Sequence, residues 1–179
     1  MIDVLQEEDK KFLLKVARDA IWSKLVNEEL PVYYKDKELY SEKTGVIIKL
    51  KINERLRGYV AKIEPETGLL ETIQQIAIHS AFYEPRFIPL KKDEYEKLSI
   101  EIFIIKEVNE LKDFKAINPQ KDGIMIKNEF TIGLLLPDDF LEFGLTPEEY
   151  VKEATLRAGL SQDTGNIQYF AVDFIKIEE

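Results

Sequence analysis

Two short stretches of the sequence combine arginine with residues that restrict the backbone. In the first, Arg57 and Gly58 interrupt an otherwise apolar run, and glycine inside a strand marks a bulge or a close approach of another backbone. In the second, Glu84 and Arg86 flank a proline at the end of a helical pattern. An arginine fork captures carboxylate or phosphate through paired hydrogen bonds. The sequence therefore predicts an anion-binding site made of Arg57, Gly58, Tyr59, Glu84 and Arg86.

The same arginines also fit a purely structural role, in which Arg57 and Arg86 pair with Glu84 or another acid and tie a strand to a loop. Catalysis in such a site would need a general acid or base, and the candidates by residue type are Glu84 and the single histidine, His79. His79 lies beside an apolar helical stripe, where a packed, hydrogen-bonded ring is the commoner finding. The sequence leaves the ligand-binding and structural interpretations open.

The sequence lacks the residues and motifs that several classes of enzyme and metal site require. The chain has no cysteine and one histidine, which removes thiolate nucleophiles, cysteine-ligated metals and histidine-rich metal sites. It contains no G-x-G-x-x-G, no G-x-x-x-x-G-K-[ST] and no G-x-S-x-G. The acidic residues are scattered as on a solvated surface. We therefore expect no metal site, and the sequence indicates no cofactor.

Composition bounds the kind of protein and its partners. Hydrophobic residues make up 45% and charged residues 33%, which is typical of a globular chain, and 179 residues suit one domain. No segment has the apolar length of a membrane span or a secretory signal, so we expect a cytoplasmic protein without a membrane partner. A net charge of -9 disfavours nucleic acid. The abundance of Lys, Glu and Ile and the absence of Cys resemble the amino-acid composition of proteins from thermophiles.

The first half of the chain predicts a helix, a hairpin and a second helix. Apolar residues recur at three and four between residues 9 and 25, which indicates an amphipathic helix. Residues 44–52 and 56–63 alternate as two strands around an Asn53-Glu54 turn. Lys49 and Lys51 occupy the second face of the first strand, a pattern typical of a solvent face or a protected sheet edge. Residues 69–81 form the second helix, which Pro85 ends.

The second half predicts further strands and a well-marked helix. We expect a short helix at 91–97, strands at 99–108, 124–126, 130–136 and 167–177, and a helix that begins at Thr146-Pro147 and ends at Gly159. Strands and helices do not alternate strictly. The predicted fold class is α+β, with mixed, largely antiparallel sheets, packed helices and two lobes. The lobes would be residues 1–110 and 111–179 within a single domain 1–179, with the C-terminal strand free to join either.

Six stretches in this order resemble the AMMECR family. Its L-R-G-C-I-G motif is matched at Leu56 to Ala61, where Tyr59 replaces the cysteine and Ala61 the last glycine. The remaining matches are 80–87 (A-A-x-x-D-P-R-F, with Glu84 for Asp), 89–98, 122–124, 135–137 and 157–160. The resemblance implies a two-lobed α+β protein without an established activity, with the L-R-G region as the suspected functional site. Any role of the family's cysteine is closed to this chain.

These observations favour a binding or regulatory module with an anion-accepting cleft between two lobes. Its ligand would be a small anion or an acidic protein segment. One alternative is an enzyme of unknown reaction that uses the same cleft, with Glu84 or His79 as acid or base and the arginines as electrostatic stabilisers. A scaffold for protein partners is the third. The sequence does not decide between them and does not give the oligomeric state.

Overall fold

The computed structural model describes residues 5–34, 37–161 and 164–179. The elements, in chain order, are α1 (Glu7–Val26), α2 (Glu38–Ser41), β1 (Val46–Ile52), β2 (Arg55–Lys62), α3 (Leu69–Ile78), a π-helical turn (His79–Tyr83), α4 (Lys92–Tyr95), β3 (Leu98–Leu111), a 3-10 turn (Phe114–Ala116), β4 (Gly123–Lys127), β5 (Ile132–Leu135), α5 (Pro137–Glu142), α6 (Pro147–Arg157) and β6 (Gln168–Glu178). The ordered connection expected at 31–45 contains α2, and its residues 35–36 lie outside the described residues.

The strands form one six-stranded sheet in the order β2-β1-β3-β6-β4-β5. The pairs β1 with β2, β1 with β3, β4 with β5 and β4 with β6 are all antiparallel. The prediction of an α+β fold with a largely antiparallel sheet is confirmed. The chain divides into two compact units, Met1–Ile105 with Ile175–Glu179, and Lys106–Phe174. The predicted lobes 1–110 and 111–179 stay a prediction.

The first unit buries one face of β1 and β3 under α1 and α3. Ile48 and Leu50 of β1 face the fully buried Leu13 and Ile21 of α1 and Ile73 of α3 in a single apolar cluster. The stripe on α1 and the period of two in β1 therefore form the core that the sequence predicts. Each fully buried side chain of this size contributes about 1.5–3 kcal/mol of transfer free energy.

The second unit packs α6 on β4 and β5. Tyr150 of α6 is fully buried, and its hydroxyl donates to the carbonyl oxygens of Leu135 at 3.0 Å and Asp122 at 3.3 Å. A Cβ on Gly133 of β5 would lie 2.2 Å from the carbonyl oxygen of Ala154, so only glycine permits this approach of helix and strand. The capping box expected at Thr146 is confirmed, and Gly159, with φ of +71°, follows α6 as expected.

One expectation about the sheet is wrong. Lys49 was assigned to a solvent face or edge, but β1 lies between β2 and β3, and Lys49 is only 2% exposed. Alternation shows which residues share a face, and it does not show what covers that face. Four further features have no counterpart in the sequence prediction, namely α2, the π-helical turn, the 3-10 turn and α5. No helix in the described part of the chain is long and apolar enough to cross a bilayer.

Candidate functional site

The predicted site begins at a bulge in β2. Leu50 of β1 pairs with Gly58, but the next residue, Lys51, pairs with Leu56, so Arg57 is an extra residue without a cross-strand partner on β1. A bulge of this kind bends the strand and re-aims the side chain at the extra position. The prediction that the glycine marks a bulge is confirmed, and the bulge decides where Arg57 is directed.

Gly58 allows the π-helical turn to press against β2. A Cβ at Gly58 would lie 2.2 Å from the carbonyl oxygen of Ser80, a distance that no real Cβ tolerates. The Ser80 hydroxyl is buried and donates to the carbonyl oxygen of Ile48 at 3.3 Å. A π-helical turn widens a helix by one residue and is frequent at functional sites. This contact brings the segment that follows the turn, with Glu84 and Arg86, to β2.

Arg57 forms a two-point pair with Glu94, a residue that the sequence analysis did not select. Its Nε and Nη2 donate to Oε1 and Oε2 of Glu94, each at 2.9 Å. Glu94 Oε2 also accepts from the backbone N–H of Lys91, which holds the carboxylate at the start of α4. The hydrogen bond from Arg57 is the main reason that the pKa of Glu94 lies below its ordinary value. The signal in the sequence was the position of Glu94 at N3 of a short helix, where an acid caps the backbone.

The remaining nitrogen of Arg57, Nη1, has no hydrogen-bond partner among the described residues although it is buried. The Arg57 side chain is 11% exposed. Leaving a buried charged donor unsatisfied costs about 1–3 kcal/mol or more, and such groups are rare in folded proteins. Arg57 therefore has one structural partner and one buried donor that its pair with Glu94 does not use.

Glu84 and Arg86 form a local pair across Pro85. Arg86 Nε donates to Oε1 of Glu84 at 2.9 Å and to Oε2 at 3.1 Å, and the Arg86 backbone N–H donates to Oε1 at 3.1 Å. The Glu84 side chain is 6% exposed, whereas that of Arg86 is 54% exposed. Arg86 Nη2 makes a long contact of 3.5 Å to the carbonyl oxygen of Tyr59. Glu84 thus anchors an arginine whose fork faces solvent.

Aromatic rings connect the two arginines. The guanidinium carbons of Arg57 and Arg86 lie 6.0 and 5.7 Å from the centre of the Phe87 ring. The guanidinium carbon of Arg86 lies 6.0 Å from the centre of the Tyr59 ring, and the ammonium nitrogen of Lys49 lies 5.5 Å from it. Cations at these distances from a ring are attracted to it. The structure therefore brings Arg57, Tyr59 and Arg86 into one aromatic-lined region of the first unit, in which each arginine is paired with a glutamate.

His79 is placed differently from these residues. Its side chain is exposed, and its ring packs against Tyr83 with a centroid distance of 5.4 Å. The ring considered from sequence is packed and hydrogen-bonded; the structure shows packing on Tyr83, but on an exposed side chain. Among the described residues, no group of three acidic or histidine side chains is arranged to hold a metal ion. Two concave surfaces, of about 490 and 330 Å³, are lined by other residues, one around Tyr33 and Tyr40 and one around Phe114 and Tyr169.

Comparison with known proteins places the chain in a family. The family model described as AMMECR1 matches residues 14–174, which is most of the sequence. The chain belongs to the AMMECR1 family. The resemblance inferred from the sequence stretches is confirmed, and the AMMECR1 match covers all five residues of the predicted site.

Relatives of this AMMECR1 chain come mostly from thermophiles, in agreement with its composition. A protein of Aquifex aeolicus is 34% identical over 162 residues, covering 87% of this chain and 83% of the relative. Protein MJ0810 of Methanocaldococcus jannaschii is 32% identical over 168 residues, covering 89% and 83%. The crystal structure of the uncharacterised protein PH0010 from Pyrococcus horikoshii is similar to this structure with a TM-score of 0.88 and 28% identity, over 98% of this chain and 93% of that one. These AMMECR1 names state no activity.

Proposed function

We propose that this AMMECR1 protein is a binding module whose surface around Arg57 and Arg86 accepts the anionic group of a small molecule or of an acidic protein segment. The observation that carries the proposal is the buried Nη1 of Arg57, which has no hydrogen-bond partner among the described residues. A carboxylate or phosphate oxygen is the acceptor that best matches a guanidinium N–H.

The arrangement of the second arginine supports the same function. Glu84 accepts the hydrogen bond from Nε of Arg86, while the rest of the guanidinium is at the surface. Phe87 lies beside both guanidinium groups. In this proposal an anion that binds Nη1 of Arg57 also meets the exposed fork of Arg86.

The structural pairing of both arginines is compatible with binding. Glu94 holds Arg57 through two nitrogens and so fixes the direction of the third. Glu84 holds Arg86 through one guanidinium nitrogen, Nε, and through the Arg86 backbone N–H. A guanidinium whose orientation is already fixed loses less conformational entropy when it binds, which improves affinity. In this proposal the two glutamates orient the arginines, and neither acts as an acid or base.

The test is ligand-dependent stability of the full chain. The single tryptophan, Trp22, lies in α1, and its fluorescence reports the urea midpoint of the first unit. Nucleotides, phosphorylated metabolites, di- and tricarboxylates and an acidic peptide are screened. A compound at one hundred times its Kd should add about 2.7 kcal/mol.

The variants Arg57→Gln and Arg86→Gln should each lose the response to that compound. Arg55→Gln is the matched control, because it removes the same charge from the exposed start of the same strand. A compound that stabilises all three variants equally binds elsewhere, and the proposed site is then wrong. A screen in which no compound stabilises the wild-type protein also counts against the proposal.

A further inference from the structure

A second charged cluster lies on the face of β1 that does not pack against α1 and α3. Lys49 of β1 and Glu101 of β3 are directly opposite each other in the strand register, and they are only 2% and 7% exposed. The Lys49 ammonium lies 5.5 Å from the Tyr59 ring centre and 5.9 Å from that of Phe103. Lysine and glutamate are almost never this deeply buried without a specific reason.

The two oxygens of Glu101 have different surroundings. Oε1 lies 2.8 Å from the ammonium of Lys51, which donates a hydrogen bond to it, and 3.9 Å from that of Lys176. Oε2 is buried and has no hydrogen-bond partner among the described residues. A buried carboxylate oxygen is a strong acceptor, and its desolvation is costly unless a donor reaches it. The cluster therefore offers a buried acceptor beside the ammonium groups of Lys51 and Lys176, the second of which also lies 2.8 Å from Oε2 of Glu178.

A ligand that satisfies this cluster must be both anionic and a hydrogen-bond donor. The ammonium groups of Lys51 and Lys176 favour negative charge, while Oε2 of Glu101 requires an O–H or N–H. Phosphate at neutral pH meets both requirements, since it keeps a proton on one oxygen and presents negative charge on the others. Sulfate has the same shape but no proton, so one of its oxygens would face Oε2 as a second acceptor.

We propose that Lys51, Glu101 and Lys176 form a binding site for a protonated oxyanion, with inorganic phosphate as its simplest example, and that Glu101 makes the site reject sulfate. The side chains of Lys51 and Lys176 are 18% and 35% exposed, so these two flexible chains are where the cluster meets solvent. The site shares no charged residue with the one around Arg57 and Arg86, although the Tyr59 ring lies beside both Lys49 and Arg86. The proposal does not depend on the proposed function.

The experiment is isothermal titration of the full chain with phosphate and with sulfate at neutral pH and constant ionic strength. Phosphate should bind about tenfold more tightly than sulfate or better, which is the usual worth of a hydrogen bond to a buried charged group. In Glu101→Gln this preference should disappear, because the amide donates to either anion. Glu107→Gln, an exposed position on the same strand, should keep it.

Two further variants keep the test decisive. If Glu101→Gln does not fold, Lys176→Met takes its place as the test. It removes the more exposed of the two lysines in the site and should weaken phosphate binding. Arg86→Gln should leave the preference for phosphate over sulfate unchanged, because that preference comes from Glu101, so failure of this site is distinguishable from failure of the proposed function. Equal binding of both anions, no binding of phosphate, or a preference that survives in Glu101→Gln would overturn the proposal.

Discussion

The contact between Gly58 and Ser80 gives a sharp prediction about stability. In Gly58→Ala the new methyl group would lie 2.2 Å from the carbonyl oxygen of Ser80, 2.9 Å from its carbonyl carbon and 3.3 Å from a methyl group of Leu50. The first two atoms belong to the backbone, so no side-chain rotation relieves the overlap. Either β2 or the π-helical turn must move by about 1 Å, and overpacking of this kind costs about 3 kcal/mol.

The assay is urea unfolding followed by Trp22 fluorescence, because Trp22 and Gly58 belong to the same compact unit. With a typical slope of about 2 kcal/mol per molar urea, the midpoint should fall by about 1.5 M. Gly165→Ala is the control for the chemical change itself, since a Cβ there meets nothing within 4 Å. It lies in the second unit, so its midpoint is followed by far-ultraviolet circular dichroism and should stay close to that of the wild-type protein. Loss of less than about 0.5 kcal/mol in Gly58→Ala, the usual size of a surface effect, would refute the close approach.

Two further predictions concern single hydrogen-bonded groups. In Glu94→Gln the free energy of unfolding should fall less at low pH than in the wild-type protein. The hydrogen bond from Arg57 lowers the folded-state pKa of Glu94 below its ordinary value of 4.5. The stability that Glu94 contributes is therefore present above pH 4.5 and is lost as the pH falls through the lowered pKa. Urea midpoints measured at descending pH check this, and parallel curves for both proteins would contradict it. Thr146→Ala should cost about 1 kcal/mol, because the Thr146 hydroxyl accepts from the backbone N–H of Glu149 at the start of α6; far-ultraviolet circular dichroism follows the loss, and an unchanged midpoint would show that the cap is dispensable.

Local patterns account for most of the fold. The apolar stripe of α1, the Asn53-Glu54 turn and the Thr146 cap each follow from neighbours along the chain, and the structure has all three. The short helix α5 was missed because six residues hold too few turns to show a period. The burial of Lys49 was missed because it depends on the aromatic rings of β2 and β3, which the strand's own sequence does not contain.

The candidate site also has a part that local sequence patterns predict and a part that they do not. Glycine inside a strand and the acid–proline–arginine segment identified the five predicted residues, and the structure brings Arg57, Tyr59 and Arg86 together. The partner of Arg57 could not be predicted, because Glu94 is 37 residues away and meets Arg57 only after α3 and α4 are in place. Long-range pairs of this kind depend on topology, whereas sequence patterns report on local structure.

The bulge at Arg57 and the π-helical turn make this region sensitive to the deletion of a single residue. Each is a regular element lengthened by one residue, and the two irregularities meet where Gly58 contacts Ser80. Deleting the extra residue from either element would restore regular helix or strand geometry, and the widened turn and the bulge that meet at Gly58 and Ser80 would be lost. Loss of a single codon in either element would therefore change this surface more than most substitutions do.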